Sequence, residues 1–343
     1  MMNNRIIPAL LILLMISTAA CGSSADTPPA DALASSDAAS ISDAAQPTES
    51  PAGESDEAAA YPLTFENYGR TVTVTDKPQK ALTLGPNCTE VFVALGLTDY
   101  IAGNSLKNHS RGPLPEYAAD YERIPELNYG AATREAVISS GADFIYGLDW
   151  EFGGSGLDIV ELEGYGMTVY VDSAATVEQT YQEILDIGKI FGIEDKAEAY
   201  TADQKSRMAA VQAKVAGKDA PKVLVYDSGN DGVFTASGAN FESLLLGLAG
   251  GENLFGDLTE KAWLTVSYEE VLARVPDIIL IHDYDAPSVE EKIAEMKAND
   301  MLSQLDCVKN ERFGIIERES VLPGNRLAYT VEKLAKGFYP DLF

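Results

Sequence analysis

From Tyr61 onward the apolar positions fall into alternating strand and helix periods. Leu63-Thr64-Phe65 and Thr71-Val72-Thr73-Val74-Thr75 alternate apolar with polar around Asn67-Tyr68-Gly69, a hairpin signature. Ala81-Leu82-Thr83-Leu84 is a short buried strand stopped by Gly85-Pro86-Asn87, and Cys88 to Leu95 carries a helical pattern that Gly96 ends. A strand over Tyr100 to Asn104 precedes a polar loop, Ser105 to Pro113. Next come a helix from Thr133, the strand Phe144 to Gly147, a loop over Leu148 to Gly156, a short helix over Leu157 to Glu163 and the strand Met167 to Val171. Val177 to Phe191 is amphipathic at helical spacing, with Val177, Tyr181, Ile184, Leu185 and Ile187 on one side. Lys196 to Val215 is a longer run of strong helix formers with no internal Gly or Pro. The alternation resumes with the strand Lys222 to Tyr226, a Gly-rich loop over Asp227 to Gly232 and a helix around Phe241 to Leu248. The strand Ile278 to Ile281, a helix over Val289 to Lys297, the strand Phe313 to Ile316 and a closing helix over Leu327 to Gly337 complete it. Strands alternating with helices predict an α/β fold with mostly parallel sheets.

One stretch occurs twice. Thr133 to Ile145 and Ser267 to Ile279 both read as a helix running into a buried strand. A single offset superimposes Glu135 on Glu269, Val137 on Val271, Ile138 on Leu272 and Asp143 on Asp277. Two copies at domain-sized separation predict two similar α/β lobes, residues 61–194 and 218–343. Each is a mostly parallel sheet flanked by helices, and one long connecting helix over 195–217 joins them.

The N-terminal end has a different character. Arg5 gives a positive start, Ile6 to Ile16 is apolar, and Ser17-Thr18-Ala19-Ala20-Cys21 follows. The apolar run of about 11 residues is too short for a bilayer span of about 20 and suits a secretory signal peptide over 1–21. Small residues before a lone cysteine resemble a bacterial lipobox, with Thr18 where leucine is usual, so Cys21 is expected to carry lipid. Residues 22–60 are Ser, Ala, Asp, Pro, Glu and Thr with almost no large apolar side chain, the composition of a disordered tether. This places the folded part outside the cytoplasm, held to the cell membrane through lipid only.

Composition narrows the function. The net charge of −28 excludes a phosphate-backbone partner. Cys88 and Cys307 are the two cysteines besides Cys21; they fall in different lobes and are expected as separate buried thiols, although an exported pair also admits a disulfide. No Gly-x-Ser-x-Gly elbow, P-loop or strand-linked Gly-x-Gly-x-x-Gly is present, so no catalytic residue and no cofactor is assigned. The two histidines, His109 and His282, each follow a predicted strand, where ligands of open α/β sheets bind. Each reads either as a cleft residue or as an ordinary surface histidine.

The order of features carries a resemblance: lipobox, polar tether, hairpin, Gly85-Pro86-Asn87-Cys88-Thr89-Glu90 opening a helix, the helix with Glu135, a single long connecting helix, Phe234-Thr235-Ala236-Ser237-Gly238, Gly250-Gly251-Glu252-Asn253 and the helix with Glu269. Over about Tyr61 to Phe343 the chain resembles the substrate-binding proteins of ABC importers for ferric siderophores, haem and cobalamin, the class III type of periplasmic binding protein. The resemblance implies a monomer that grips its ligand between two lobes with modest closure and delivers it to an ABC permease and its ATPase. It further implies that a glutamate on each lobe docks on permease arginines. Position in the repeat makes these Glu135 and Glu269, with Glu270 and Glu90 as neighbouring competitors.

For the ligand the resemblance implies a ferric siderophore first, with cobalamin or haem as the alternative. Oxygen-rich or anionic chelates call for Arg, Lys, Tyr and Trp. On the first lobe the candidates are Asn87, Lys107, His109 and Arg111, with the aromatics Tyr129, Trp150 and Phe152. On the second lobe they are Phe234, Trp263, His282, Tyr284, Arg318 and Arg326. Trp150 and Trp263 are the only tryptophans, both in predicted loops, where core packing is the competing role; for Arg326 it is a salt bridge. His282 with Tyr284 echoes a family branch in which a His and a Tyr complete an iron shell; no metal site is otherwise assigned.

Overall fold

A computed structural model describes residues 61–343 apart from positions 155 and 230; the expected signal peptide, Cys21 and the tether 22–60 lie outside the described residues. The chain opens with the hairpin of β1 (Leu63–Asn67) and β2 (Arg70–Val74), which turns Leu63, Phe65, Val72 and Val74 inward. Tyr68 and Gly69 link them at φ 54° and 68°, the left-handed pair that a tight two-residue hairpin turn requires.

The first sheet is built from β3 (Ala81–Leu84), α1 (Pro86–Ala94), β4 (Ile101–Ser105), α2 (Ala118–Tyr121), α3 (Arg134–Ser139), β5 (Phe144–Leu148), α4 (Ile159–Gly164) and β6 (Thr168–Asp172). Its strand order is β4-β3-β5-β6, all parallel. α1 begins two residues earlier than the apolar pattern predicts, because Pro86 fits the first turn of a helix, where its missing N–H costs nothing. The helix α5 (Val177–Ile190) closes this half, and α6 (Glu194–Val215) leads out of it.

The second half contains β7 (Lys222–Tyr226), β8 (Ser228–Gly229), β9 (Val233–Ala236), α7 (Phe241–Leu248), β10 (Glu252–Asn253), β11 (Trp263–Val266) and α8 (Tyr268–Arg274). It ends with β12 (Ile278–Asp283), α9 (Val289–Ala298), α10 (Asp306–Lys309), β13 (Phe313–Glu317) and α11 (Leu327–Phe338). Its main sheet runs β10-β7-β12-β13 in parallel, and a small antiparallel sheet runs β11-β9-β8. The small sheet corrects the sequence reading: part of the expected Gly-rich loop is β8, and Trp263 opens a strand instead of lying in a loop. Strands of two to four residues are too short to display a period of two.

The repeated unit is repeated in three dimensions. Thr133 and Ser267 cap α3 and α8, each accepting a hydrogen bond from the third backbone N–H of its helix. Val137 and Val271 are fully buried. Asp143 accepts from the backbone N–H groups of Gln79 and Lys80 at 2.8 and 2.9 Å, and Asp277 accepts from that of Lys222 at 2.8 Å. Each aspartate therefore fastens its own strand to the start of the neighbouring strand of the main sheet, β3 in one lobe and β7 in the other, which is the structural reason for its place in the repeat.

The connecting helix α6 buries Ala197, Thr201, Gln204, Met208, Val211 and Val215, one stripe at helical spacing. Over about 33 Å of length it is bonded to the last helix: Tyr200 Oη donates to the Asn325 carbonyl at 2.8 Å, Gln204 Oε1 accepts from Ala328 N at 3.0 Å, and Arg207 forks onto Glu332 at 2.9 and 2.6 Å. One hydrophobic cluster passes beneath it, from Phe92 and Phe144 of the first lobe through Met208 and Val211 to Val223, Leu280 and Leu334 of the second. A close-packed core shared by both lobes resists large hinge motion.

Candidate functional site

The strands of both main sheets point their carboxyl ends at one cleft. On the first wall, Leu106 turns the chain at φ 61° after β4, and the single turn Lys107–His109 follows. His109 is half-buried beside Trp150, ring centroids 6.4 Å apart, and Trp150 stands out from the turn Asp149–Glu151 after β5 with 44 % of its surface exposed. Phe152, two residues on, is buried in the core beneath. On the second wall, the antiparallel register of β9 and β11 sets Phe234 diagonal to Trp263, and the rings stack at 5.3 Å. Trp263 in turn stands edge-on to His282 at 5.8 Å.

The walls touch at the mouth and at the back. At the mouth Arg111 Nε donates to Asp283 Oδ1 at 2.7 Å and Tyr129 Oη donates to Asp285 Oδ2 at 2.8 Å. At the back Arg326, 4 % exposed, donates Nε to Glu90 Oε1 at 2.9 Å and Nη2 to Glu90 Oε2 and to the Gly112 carbonyl. Its Nη1 reaches Ser320 Oγ at 3.1 Å and Glu319 Oε1 at 3.5 Å. Glu319 also accepts from Ser110 Oγ and Arg111 N, and Asn325 Nδ2 donates to Glu90 at 2.9 Å. Asn87 is a second strut: its Nδ2 donates to Asp172 Oδ2 at 2.7 Å and to the Pro323 carbonyl at 2.6 Å.

These contacts correct four expected ligand residues. Arg326 and Asn87 are buried ties between the lobes, with their donors already engaged. His282 has no exposed surface; Nδ1 sits 3.1 Å from Asp227 Oδ1 and Nε2 3.1 Å from Glu242 Oε2. Burial alone would lower its pKa, but Glu242 and Asp227 outweigh that and push it up to about 9, so both ring nitrogens carry protons and neither has a lone pair for iron. Tyr284 is buried too, donating to Asp227 at 3.2 Å beneath the Arg318 guanidinium and beside the buried Lys292 ammonium. The echo of an iron shell at His282 and Tyr284 is therefore a charge network under the cleft floor.

The remaining candidates keep exposed surface: Lys107, His109, Arg111, Tyr129 and Trp150 on the first lobe, Phe234, Trp263 and Arg318 on the second. His109 and Arg318 sense each other across the gap. Burial holds the His109 pKa below its ordinary value, Arg318 adds to that, and Asp227 opposes it. His109 Nδ1 and Arg318 Nε are buried and find no hydrogen-bond partner among the described residues. Sequence reasoning missed Asp283, Asp285, Glu90 and Glu319 as cleft residues. The rule that picks residues just past a strand end, which selected His282 and Tyr284, applies equally to Asp283 and Asp285.

A profile for the periplasmic binding protein family matches residues 82–318. The chain belongs to that family. The periplasmic binding protein is 28 % identical to an uncharacterized ABC transporter substrate-binding lipoprotein, YvrC, of Bacillus subtilis (strain 168), over 82 % of this chain and 87 % of that one. It is 27 % identical to a vitamin B12-binding protein of Photorhabdus laumondii over 60 % of this chain and 70 % of the other. Among solved structures it is similar to a periplasmic binding protein from Veillonella parvula, with TM-score 0.73 and 27 % identity over 81 % of this chain and 97 % of that one. Members of this family are solute-binding components of transporters, not enzymes, and bind their ligands without cofactors. Such a component is extracytoplasmic and works with a permease and its ATPase. No described helix of the binding protein is long and apolar enough to cross a membrane.

Glu135 and Glu269 are both exposed at the second position of their helices, and neither forms an ion pair among the described residues. Their competitors differ: Glu90 is buried against Arg326, and Glu270 lies 3.8 Å from Arg274. Cys88 and Cys307 are separate buried thiols.

Beneath Asn87 lies a buried carboxyl pair. Asp172 ends β6 and accepts from Asn87 and Cys88; Glu183 of α5 accepts from Ser173 N at 3.1 Å and Tyr146 Oη at 3.5 Å. Burial raises both pKa values, and the two carboxyls raise Glu183 further by facing each other, so the pair holds a proton at neutral pH. Folded-state values above the unfolded ones mean that the pair's contribution is full below about pH 4 and is lost as pH rises through the neutral and alkaline range. Glu183→Gln can keep the Ser173 bond and donate to Asp172 without titrating. Its thermal midpoint is expected to fall less between pH 5 and pH 9 than that of the unsubstituted protein; parallel profiles would contradict the shared proton.

Proposed function

We propose that the protein captures a large metal chelate between its lobes, residues 61–194 and 218–343 joined through 195–217, and delivers it to an ABC permease while Cys21 holds it to the membrane through lipid. The observation that supports this reading is that both lobes carry aromatic side chains near their junction, the exposed Trp150 and Tyr129 on the first and the Phe234–Trp263 stack on the second, while buried contacts tie the lobes together at the back. Such clefts suit broad, partly apolar ligands held by a few polar groups.

The ligand best supported is a corrinoid of the cobalamin class. The sequence-based preference for a ferric siderophore rested on arginines and lysines free to meet it, and Lys107, Arg111 and Arg326 are paired with carboxylates. A vitamin B12-binding protein stands among the relatives. A ferric siderophore is the second reading, favoured by the unpartnered polar atoms of His109 and Arg318, which suit an oxygen-rich chelate. Titration of tryptophan fluorescence with cyanocobalamin, ferric hydroxamates, ferric catecholates and haemin tests the reading. Saturable quenching by cyanocobalamin at micromolar or lower concentration is expected. A flat cobalamin titration with a response to a ferric chelate moves the assignment to the siderophore.

Glu135 and Glu269 are proposed as the two feet on the permease, where paired carboxylates on a stiff body meet basic pockets. The double variant Glu135→Ala with Glu269→Ala is expected to abolish uptake in cells while ligand affinity stays within about twofold, since distant sites act independently. Loss of ligand binding in the double variant would count against docking as their role.

A further inference from the structure

Each cation of the cleft has an acidic partner. Lys107 Nζ lies 3.2 Å from Glu126, Arg111 Nε 2.7 Å from Asp283, and Arg318 Nη1 3.9 Å from Asp227; Arg326 is enclosed by Glu90 and Glu319. Arg111 differs from the rest. It is the exposed one, it comes from the first lobe, and its carboxylate comes from the second. One strand end also supplies Asp285, which holds Tyr129 across the mouth. Asp283 thus stands against Arg111 where an anionic group of an arriving solute would be expected to bind.

We propose that Asp283 is a specificity-determining residue, an internal anion that holds Arg111 and makes the cleft select large metal chelates of little net charge over polyanionic ones. The proposal rests on the reading of the cleft given above. A ligand carboxylate or catecholate can take Arg111 only by displacing Asp283, which then lies unpaired beside the incoming negative charge and close to Asp285. The repulsive partner is what creates the discrimination. A chelate whose oxygens are amide or hydroxamate carbonyls brings no such charge and can accept from Arg111 while Asp283 stays in place, since a guanidinium has five N–H donors. The net charge of −28 over the whole chain acts in the same direction, lowering the local concentration of anions.

The test compares the unsubstituted protein with Asp283→Asn and Asp283→Glu, each checked for folding by circular dichroism. Fluorescence titrations would use cyanocobalamin, a ferric trihydroxamate and a ferric tricatecholate. The unsubstituted protein is expected to prefer the better of the two near-neutral chelates over the tricatecholate by about 100-fold or more. Asp283→Asn is expected to shift that ratio about tenfold toward the tricatecholate, the size of one repulsive charge contact in a partly screened site. Asp283→Glu, which keeps the charge, should retain the preference. An unchanged ratio in Asp283→Asn, an equal loss of preference in both variants, or a tricatecholate that binds tightest to the unsubstituted protein would overturn the charge rule. Failure of all three chelates to bind the folded, unsubstituted protein would overturn the reading of the cleft itself, and the charge rule with it.

Discussion

The cleft exists because Arg326 joins two glutamates at the back of the two lobes. Glu90 comes from the first helix of one lobe, and Glu319 and Arg326 come from the end of the other. All three are nearly or fully inaccessible to water. Burying a guanidinium and two carboxyl groups is costly, and the cost is met only when the hydrogen bonds are nearly complete, as they are for Arg326 through Glu90, Ser320 and Gly112. Removing one partner of such a cluster costs about 3–5 kcal/mol, because a buried charge is left alone. Asn87 and the continuous core under α6 act beside it. With the back held in this way, the strand ends and their loops are left facing each other across a fixed gap.

That gap carries little free positive charge. In a chain with 53 acidic and 25 basic residues, nearly every cation near the cleft finds a carboxylate. What remains for a ligand is aromatic surface, a half-buried neutral imidazole and a few unpartnered polar atoms. The charges beneath the floor have a different task. His282, Asp227, Glu242 and Lys292 hold one another, burial works against the Asp227 charge but His282 and Arg318 keep its pKa down to about 2, and Trp263 and Tyr284 are seated on that network. A rigid floor suits a binding protein, since a preorganised cleft spends less of its interaction energy on ordering.

Much of the fold was legible in the chain because its signals are local. The alternation of Leu63 to Val74, the stop at Gly96 after α1 and the run of helix formers over Lys196 to Val215 all act within a few residues of themselves. The repeat was legible for the same reason, and its aspartates proved to have a structural role in each lobe. The site was less legible. Glu90 and Arg326 are 236 positions apart, and nothing near either residue announces the other. His282 was expected just past a strand end but lies within β12, and its role depends on Asp227 and Glu242, which come from other elements. Strand-end position identifies the region of a cleft, while burial and pairing decide which side chains in it are free.

The central claim, a cleft preformed by the Arg326 cluster and the shared core, is tested most directly by the distance between the lobes in solution. Spin labels at the exposed positions Ser139 and Ala273, on α3 and α8, would report it by double electron–electron resonance with and without a saturating chelate. The account predicts a narrow distribution whose mean moves by less than about 3 Å on binding. A ligand-dependent shift of more than about 10 Å, as in hinge closure, would contradict it.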